Sequence, residues 1–269
     1  MGQKTPEPQE AWRFVNRTRI HWLEGDGIPK DSMILEAVPG VGNVGKIMVD
    51  GLIDKHPSRT IGWILHPDFP PHATISDDGL IGPPRLDIVS VILPNGEPVC
   101  IVTGVMQPMT APGQFEVAEA ILRMASDSDA SRLLVLAGLA AEPDCRSIYA
   151  VCSDRVFRKT LEKEDIMVSR DQPKGGMIGV AGMVLSLSST LGVPSLGVIA
   201  ETVGASSDVL AADRMAKWIE QAFEVPLDLD LDTTKETAAK LIEKIGGSDD
   251  PMEDYLSMDE PEASSDFYV

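Results

Sequence analysis

The residues best placed to do chemistry lie in "GVGNVGK", residues 40–46. Gly40, Gly42 and Gly45 satisfy G-x-G-x-x-G between an apolar run and a stretch of helical periodicity, the context a dinucleotide-binding turn requires. Lys46 follows, as in a phosphate-binding loop. The next residue, which should be Ser or Thr to hold magnesium, is Ile47. The acid expected to hold a ribose falls near Asp68, behind Pro67 in "HPDFPP". The other reading is a tight strand-to-helix turn that needs glycine and binds nothing.

A second glycine cluster, "GGMIGVAGMVL", carries Gly175, Gly176, Gly179 and Gly182. Gly179 and Gly182 share one helix face, where the missing side chains allow close approach to a sheet or another subunit; the loop before them could instead form an anion nest. Glu201 and Asp208 stand at a strand end and a helix start, as paired carboxylates or as loop-ordering and capping groups. The four histidines, His21, His56, His66 and His72, have no metal-ligand spacing such as HExxH, and no G-x-S-x-G nucleophile elbow occurs. No metal and no cofactor is expected. Cys100, Cys145 and Cys152 form no CxxC pair and read as thiols of a reducing compartment.

The formal net charge of -19 argues against nucleic acid as a partner. No apolar run reaches the roughly 18 residues a membrane span needs, and the start "MGQKTPEPQE" has no hydrophobic export region. A cytoplasmic protein is expected. Acidic residues crowd residues 248–269, where no Lys or Arg occurs, which predicts an extended, mobile tail. That tail nevertheless finishes on Phe267, Tyr268 and Val269.

Around these residues, apolar runs alternate with segments of helical periodicity. "DSMILEAVPG", "TIGWIL", "SRLLVLAGLA", "SIYAVCS" and "VPSLGVIAE" read as strands, with "TRIHWLEG" as an edge strand. "LDIVSVIL" and "PVCIVTGV" form a hairpin through Asn95-Gly96. Helices are expected from Asn43 to Lys55, in "GQFEVAEAILRMAS", from Asp154 to Glu164, in "MIGVAGMVLSLSSTLG", in "SSDVLAADRMAKWIEQAF" and in "TTKETAAKLIEKIGG". The whole is a single three-layer α/β domain with a largely parallel mixed sheet and a disordered acidic C-terminal tail. Residues 1–30 are an N-terminal extension, 31–247 the core and 248–269 the tail.

The order of the blocks "PGVGNVGKIMVDGLI", "FPPHATISDDGLIGPPRLDIV", "VTGVMQPMTAPGQFEVAEAIL", "GGMIGVAGMVLSLSSTLGVPSLGVIAETVG" and "SSDVLAADRMAKWI" resembles the archaeal proteasome assembly chaperone family. The likeness runs from about Ser32 to Trp218, and departs from the family pattern at Val105, where an acidic residue is expected. Members of the PbaB type end in a hydrophobic–Tyr–any-residue motif, which Phe267-Tyr268-Val269 matches. The resemblance implies a non-enzymatic, ATP-independent chaperone or activator whose core forms a homo-oligomer. It also implies that the tail docks between subunits of the proteasome core-particle α-ring, with the tyrosine and terminal carboxylate in the pocket. The competing expectation is a nucleotide-binding α/β enzyme using Gly40, Gly42, Gly45 and Lys46.

Overall fold

In a computed structural model, residues 16–75, 79–169, 175–204, 207–229, 231 and 267–268 are described. The expected acidic tail up to residue 266 and the helix expected in "TTKETAAKLIEKIGG" lie outside the described residues. Strand β1 (Arg19–Trp22) is followed by β2 (Met33–Ala37), helix α1 (Val44–Lys55) and β3 (Ser58–Leu65). A small hairpin, β4 (Thr74–Ile75) and β5 (Ile81–Gly82), interrupts the Pro-rich loop before β6 (Leu86–Ile92) and β7 (Pro98–Gly104). Helix α2 (Ala111–Asp127), β8 (Arg132–Ala140), β9 (Ile148–Cys152) and α3 (Arg155–Lys163) come next. Then follow β10 (Gly176–Met177), α4 (Gly179–Ser188), β11 (Ser195–Thr202), α5 (Val209–Phe223) and β12 (Phe267–Tyr268).

Eight strands form one mixed sheet in the order β1-β3-β6-β7-β2-β8-β11-β9. The central strands β7, β2, β8 and β11 pair in parallel, with antiparallel strands on both flanks. The antiparallel share therefore exceeds the one hairpin expected around Asn95, because β1, β3 and β9 also pair antiparallel. The Asn95 turn itself is present, with Gly96 N–H donating to the Leu93 carbonyl at 2.8 Å.

Every residue of β2 and of β11 is buried, the signature of strands covered on both faces. One face packs on α1 and α5 through Leu35, Ile47, Leu52, Leu134, Val198 and Met215. The other packs on α2 and α4 through Ile34, Val102, Ile121, Val135, Val180 and Val184. Helix starts are fixed by short polar side chains: Thr110 accepts from Gly113 N–H at 3.1 Å, Asp154 from Val156 N–H at 2.7 Å, and Asp208 from Ala211 N–H at 2.9 Å.

Glu36 breaks the apolar pattern. It lies between Val102 and Val135 in register, on the face that Ile34 and Val38 turn toward α2 and α4. It is fully buried, and neither carboxylate oxygen has a hydrogen-bond partner. Burial pushes the carboxyl up from 4.5 to about 8, so the protonated acid is the form that fits the core. A folded-state value above the unfolded one gives stability that is full below pH 4.5 and is lost as pH rises through about 8. The slope across that window is about 1.4 kcal/mol per pH unit. Replacing Glu36 with Gln should flatten this dependence, so that between pH 4.5 and 7 the variant gains about 3 kcal/mol relative to wild type, the slope taken over that interval. Urea unfolding of both proteins from pH 5 to 9 checks this; parallel curves with no gain at high pH would contradict it.

Candidate functional site

Because β2, β7, β8 and β11 run in one direction, the loops after them gather at one edge of the sheet, where open α/β folds bind ligands. The Gly40 loop is there, as a short 3-10 turn over Val41–Asn43 leading into α1. Gly42 has φ +64°, and a Cβ on it would lie 2.6 Å from Thr202 Oγ1, so a side chain is excluded by both conformation and space. A Cβ on Gly45 would lie 2.7 Å from the Leu136 backbone carbonyl oxygen. Gly40 is extended and makes no such demand.

The space beside the loop is small. A cavity of about 10 Å³ is bounded by Val38, Gly40, Val41, Gln107, Gly138 and Ile178. A dinucleotide site needs roughly 300 Å³ or more. Lys46 extends along α1, with its ammonium 2.6 Å from Asp50 Oδ1 one helical turn on. The loop's polar groups are used internally: Asn43 N–H donates to the Gly40 carbonyl and Asp208 N–H to the Gly42 carbonyl, both at 2.9 Å. In this geometry the glycines let the turn pack onto β8 and β11.

Glu201 and Asp208 are held apart by their partners. Glu201 accepts from Ser147 N–H at 2.7 Å and from the Tyr149 hydroxyl at 2.9 Å, ordering the loop into β9. Asp208 caps α5 and accepts from the Thr202 hydroxyl at 2.8 Å. The second glycine cluster also packs closely. A Cβ on Gly182 would lie 2.3 Å from the Met177 carbonyl oxygen, so α4 lies directly against β10. Gln107 joins this corner to the first loop, donating to the Pro39 carbonyl at 3.2 Å and accepting from Val180 N–H at 3.1 Å. At the same corner β12 pairs in parallel with β10, Gly176 opposite Phe267 and Met177 opposite Tyr268. Val105, Met109, Ile178 and Val203 remain exposed along this edge.

A polar cluster elsewhere carries no sequence signal, because its members are far apart in the chain. Buried His66 lies 3.0 Å from Glu116 Oε2 through Nε2, while its Nδ1 accepts from Asp68 N–H at 3.0 Å. The proton therefore sits on Nε2 and is donated to Glu116. Arg17 forks onto Asp68 at 2.8 and 3.0 Å and also reaches Glu116. Hydrogen bonds from Thr110, then Arg17, hold the Asp68 carboxyl below its ordinary range. Burial alone would raise Glu116, but bonds from Arg17 and His66 outweigh it and hold that carboxyl low as well. The cluster fastens the segment before β1 to α2. Beside it, a groove of about 320 Å³ lies between β1 and α2, lined by Thr18, Trp22, Glu119, Arg123 and Asp127 among others. Among the described residues no group of His, Cys, Asp and Glu could hold a metal ion, and no helix is long and apolar enough to cross a membrane.

A three-layer α/β core whose ligand edge is packed shut and rimmed with apolar side chains fits a protein-contacting module. The PAC2 family profile matches residues 34–245, and the chain belongs to that family. An uncharacterized protein of Methanocaldococcus jannaschii is 25% identical over 219 residues, covering 80% of this chain and 83% of that protein. The fold is similar to Pyrococcus furiosus PbaA, described as an archaeal homolog of proteasome-assembly chaperone, at 19% identity and TM-score 0.70 over 90% of this chain and 98% of that one. It is also similar to Pyrococcus furiosus PbaB, described as an archaeal proteasome activator, at 20% identity and TM-score 0.68 over 91% and 100%.

Two outcomes follow from the packed edge. Gly45→Ala should lower stability by about 1–3 kcal/mol, since the Leu136 backbone must move. A thermal-shift screen with NAD, NADP and ATP should show no stabilisation, where a ligand at a hundred times its dissociation constant would add about 2.7 kcal/mol. A tolerated alanine together with a nucleotide-dependent shift would return the loop to the role of a binding site.

Proposed function

We propose that this protein is a non-enzymatic, ATP-independent partner of the proteasome core particle, acting as an assembly chaperone or activator. In this reading the C-terminal Phe267-Tyr268-Val269 docks between adjacent subunits of the α-ring. The observation that carries the proposal is this hydrophobic–Tyr–any-residue sequence at the end of an acidic segment, on a chain of the PAC2 family with a PbaB-like fold. The penultimate Tyr268 supplies an aromatic anchor and the Val269 carboxylate a charge-assisted bond to a basic pocket group.

One such tail makes a small contact, so it binds weakly by itself. A homo-oligomer presents several tails at once, and effective concentration then raises avidity by roughly 100-fold or more. In this reading the acidic segment serves as a tether: a random-coil chain of about 20 residues has an r.m.s. span on the order of 25 Å, enough to bridge a mismatch between the oligomer's symmetry and the ring's. The apolar rim of Val105, Met109 and Val203 is a surface on which copies of the core can meet.

Binding to an archaeal core particle, measured by surface plasmon resonance, tests this reading. Tyr268→Ala, and separately one residue added after Val269, should each weaken association at least 10-fold, with an unchanged melting temperature. Full affinity in both variants would refute tail docking. Faster peptide hydrolysis in the wild-type mixture would mark an activator, and unchanged hydrolysis with faster ring assembly a chaperone.

A further inference from the structure

We infer that the core carries its own docking site for the C-terminal anchor, and that β10 is the acceptor strand that holds it. Phe267 and Tyr268 pair in parallel with Gly176 and Met177, and these four residues make a two-stranded sheet of their own. Their recognition is therefore strand addition through the main chain, a mode in which an extended peptide end satisfies an exposed backbone edge.

The acceptor is a built feature. Gly182 of α4 lies under the Met177 carbonyl, where a Cβ would come within 2.3 Å, so the helix presses directly on the back of β10. Gly179, at φ +78°, makes the sharp entry into α4 one residue after Ile178, and a Cβ there would meet Gln107 Oε1 at 2.6 Å. Gln107 accepts from Val180 N–H and donates to the Pro39 carbonyl, tying the start of α4, which follows β10, to the Gly40 loop. Met177 packs against the buried clusters on that side of the sheet. The segment "GGMIGVAG" thus supplies the strand with which β12 pairs, beside the exposed Ile178. β12 also lies close to β8.

The residues that pair with β10 are those proposed to enter the α-ring pocket, and one tail cannot occupy both places. The consequence for proteasome binding rests on that proposed function: the core holds the anchor shut until the ring competes for it. The hold is weak. A two-residue ladder has only a few hydrogen bonds, and each contributes little net stability in water. A weak latch suits a tail that must be withdrawn by avidity.

Hydrogen exchange of the full-length protein and of a variant lacking residues 267–269, with no proteasome present, reads the latch alone. The backbone amides of residues 176–178 should exchange about 3- to 10-fold more slowly in the full-length chain, a small local protection. Equal exchange in the two proteins would overturn the proposal. Gly182→Ala, which leaves the tail sequence intact, should displace β10. Carboxypeptidase should then remove Val269 and Tyr268 several-fold faster than from wild type, and core-particle association should strengthen. A wild-type tail trimmed as fast as the free peptide "EASSDFYV" would also overturn the latch. Slow trimming of wild type and fast trimming of Gly182→Ala, with no core-particle association by either, would uphold the latch and refute the proteasome reading instead.

Discussion

The constraint on which the rest of the molecule depends is backbone packed on backbone at the C-terminal edge of the central strands. The Val41 carbonyl sits where a Cβ on Gly138 would be only 2.0 Å away, Leu136 presses on Gly45, and Met177 on Gly182. Each approach is open to glycine alone, since any Cβ would force one of two rigid elements to move. Together they seat the first loop on β8, α1 on the sheet and α4 on β10. They also fill the crevice that an open α/β fold usually leaves for a small ligand. What remains outside is a rim of apolar side chains and the short β10 strand, whose edge is taken by β12.

This explains why the glycine pattern was ambiguous in the sequence. Gly40, Gly42 and Gly45 suit a turn that cradles pyrophosphate and a turn that packs against a neighbouring strand. The two differ in what lies over the loop, and Thr202 and Leu136, which occupy that space, are distant in sequence. Lys46 is equally ambiguous in sequence, and its bond to Asp50 decides between the two. The strands and helices of the core were legible because their periods are clear and their ends are marked by Thr110, Asp154 and Asp208. The antiparallel placement of β9 beside β11 was not, since strand direction has no local signal. Arg17, His66, Asp68 and Glu116 converge from separate elements, so no spacing rule could have joined them. The pairing of β12 with β10 was hidden for the same reason.

Glu36 shows how little local pattern says about cost. Its strand, "MILEA", reads as buried, and the carboxyl goes into the core with no partner on either oxygen. Keeping it protonated is how the fold tolerates it near neutral pH, with burial as the cause. The core that carries the tail is therefore held by aliphatic packing on both faces of the sheet, with one acid whose ionisation works against it.

The proposed function divides the duties between the core, which would gather and position the chains, and Phe267-Tyr268-Val269, which would engage the partner. Photo-crosslinking from position 267 tests that division most directly, with benzoylphenylalanine in place of Phe267 and Tyr268 and the C-terminus left intact. In the presence of an archaeal core particle the account predicts adducts on the α-subunits, suppressed by an excess of the free C-terminal peptide. Adducts confined to the protein's own chain, at core-particle concentrations that saturate association, would contradict it.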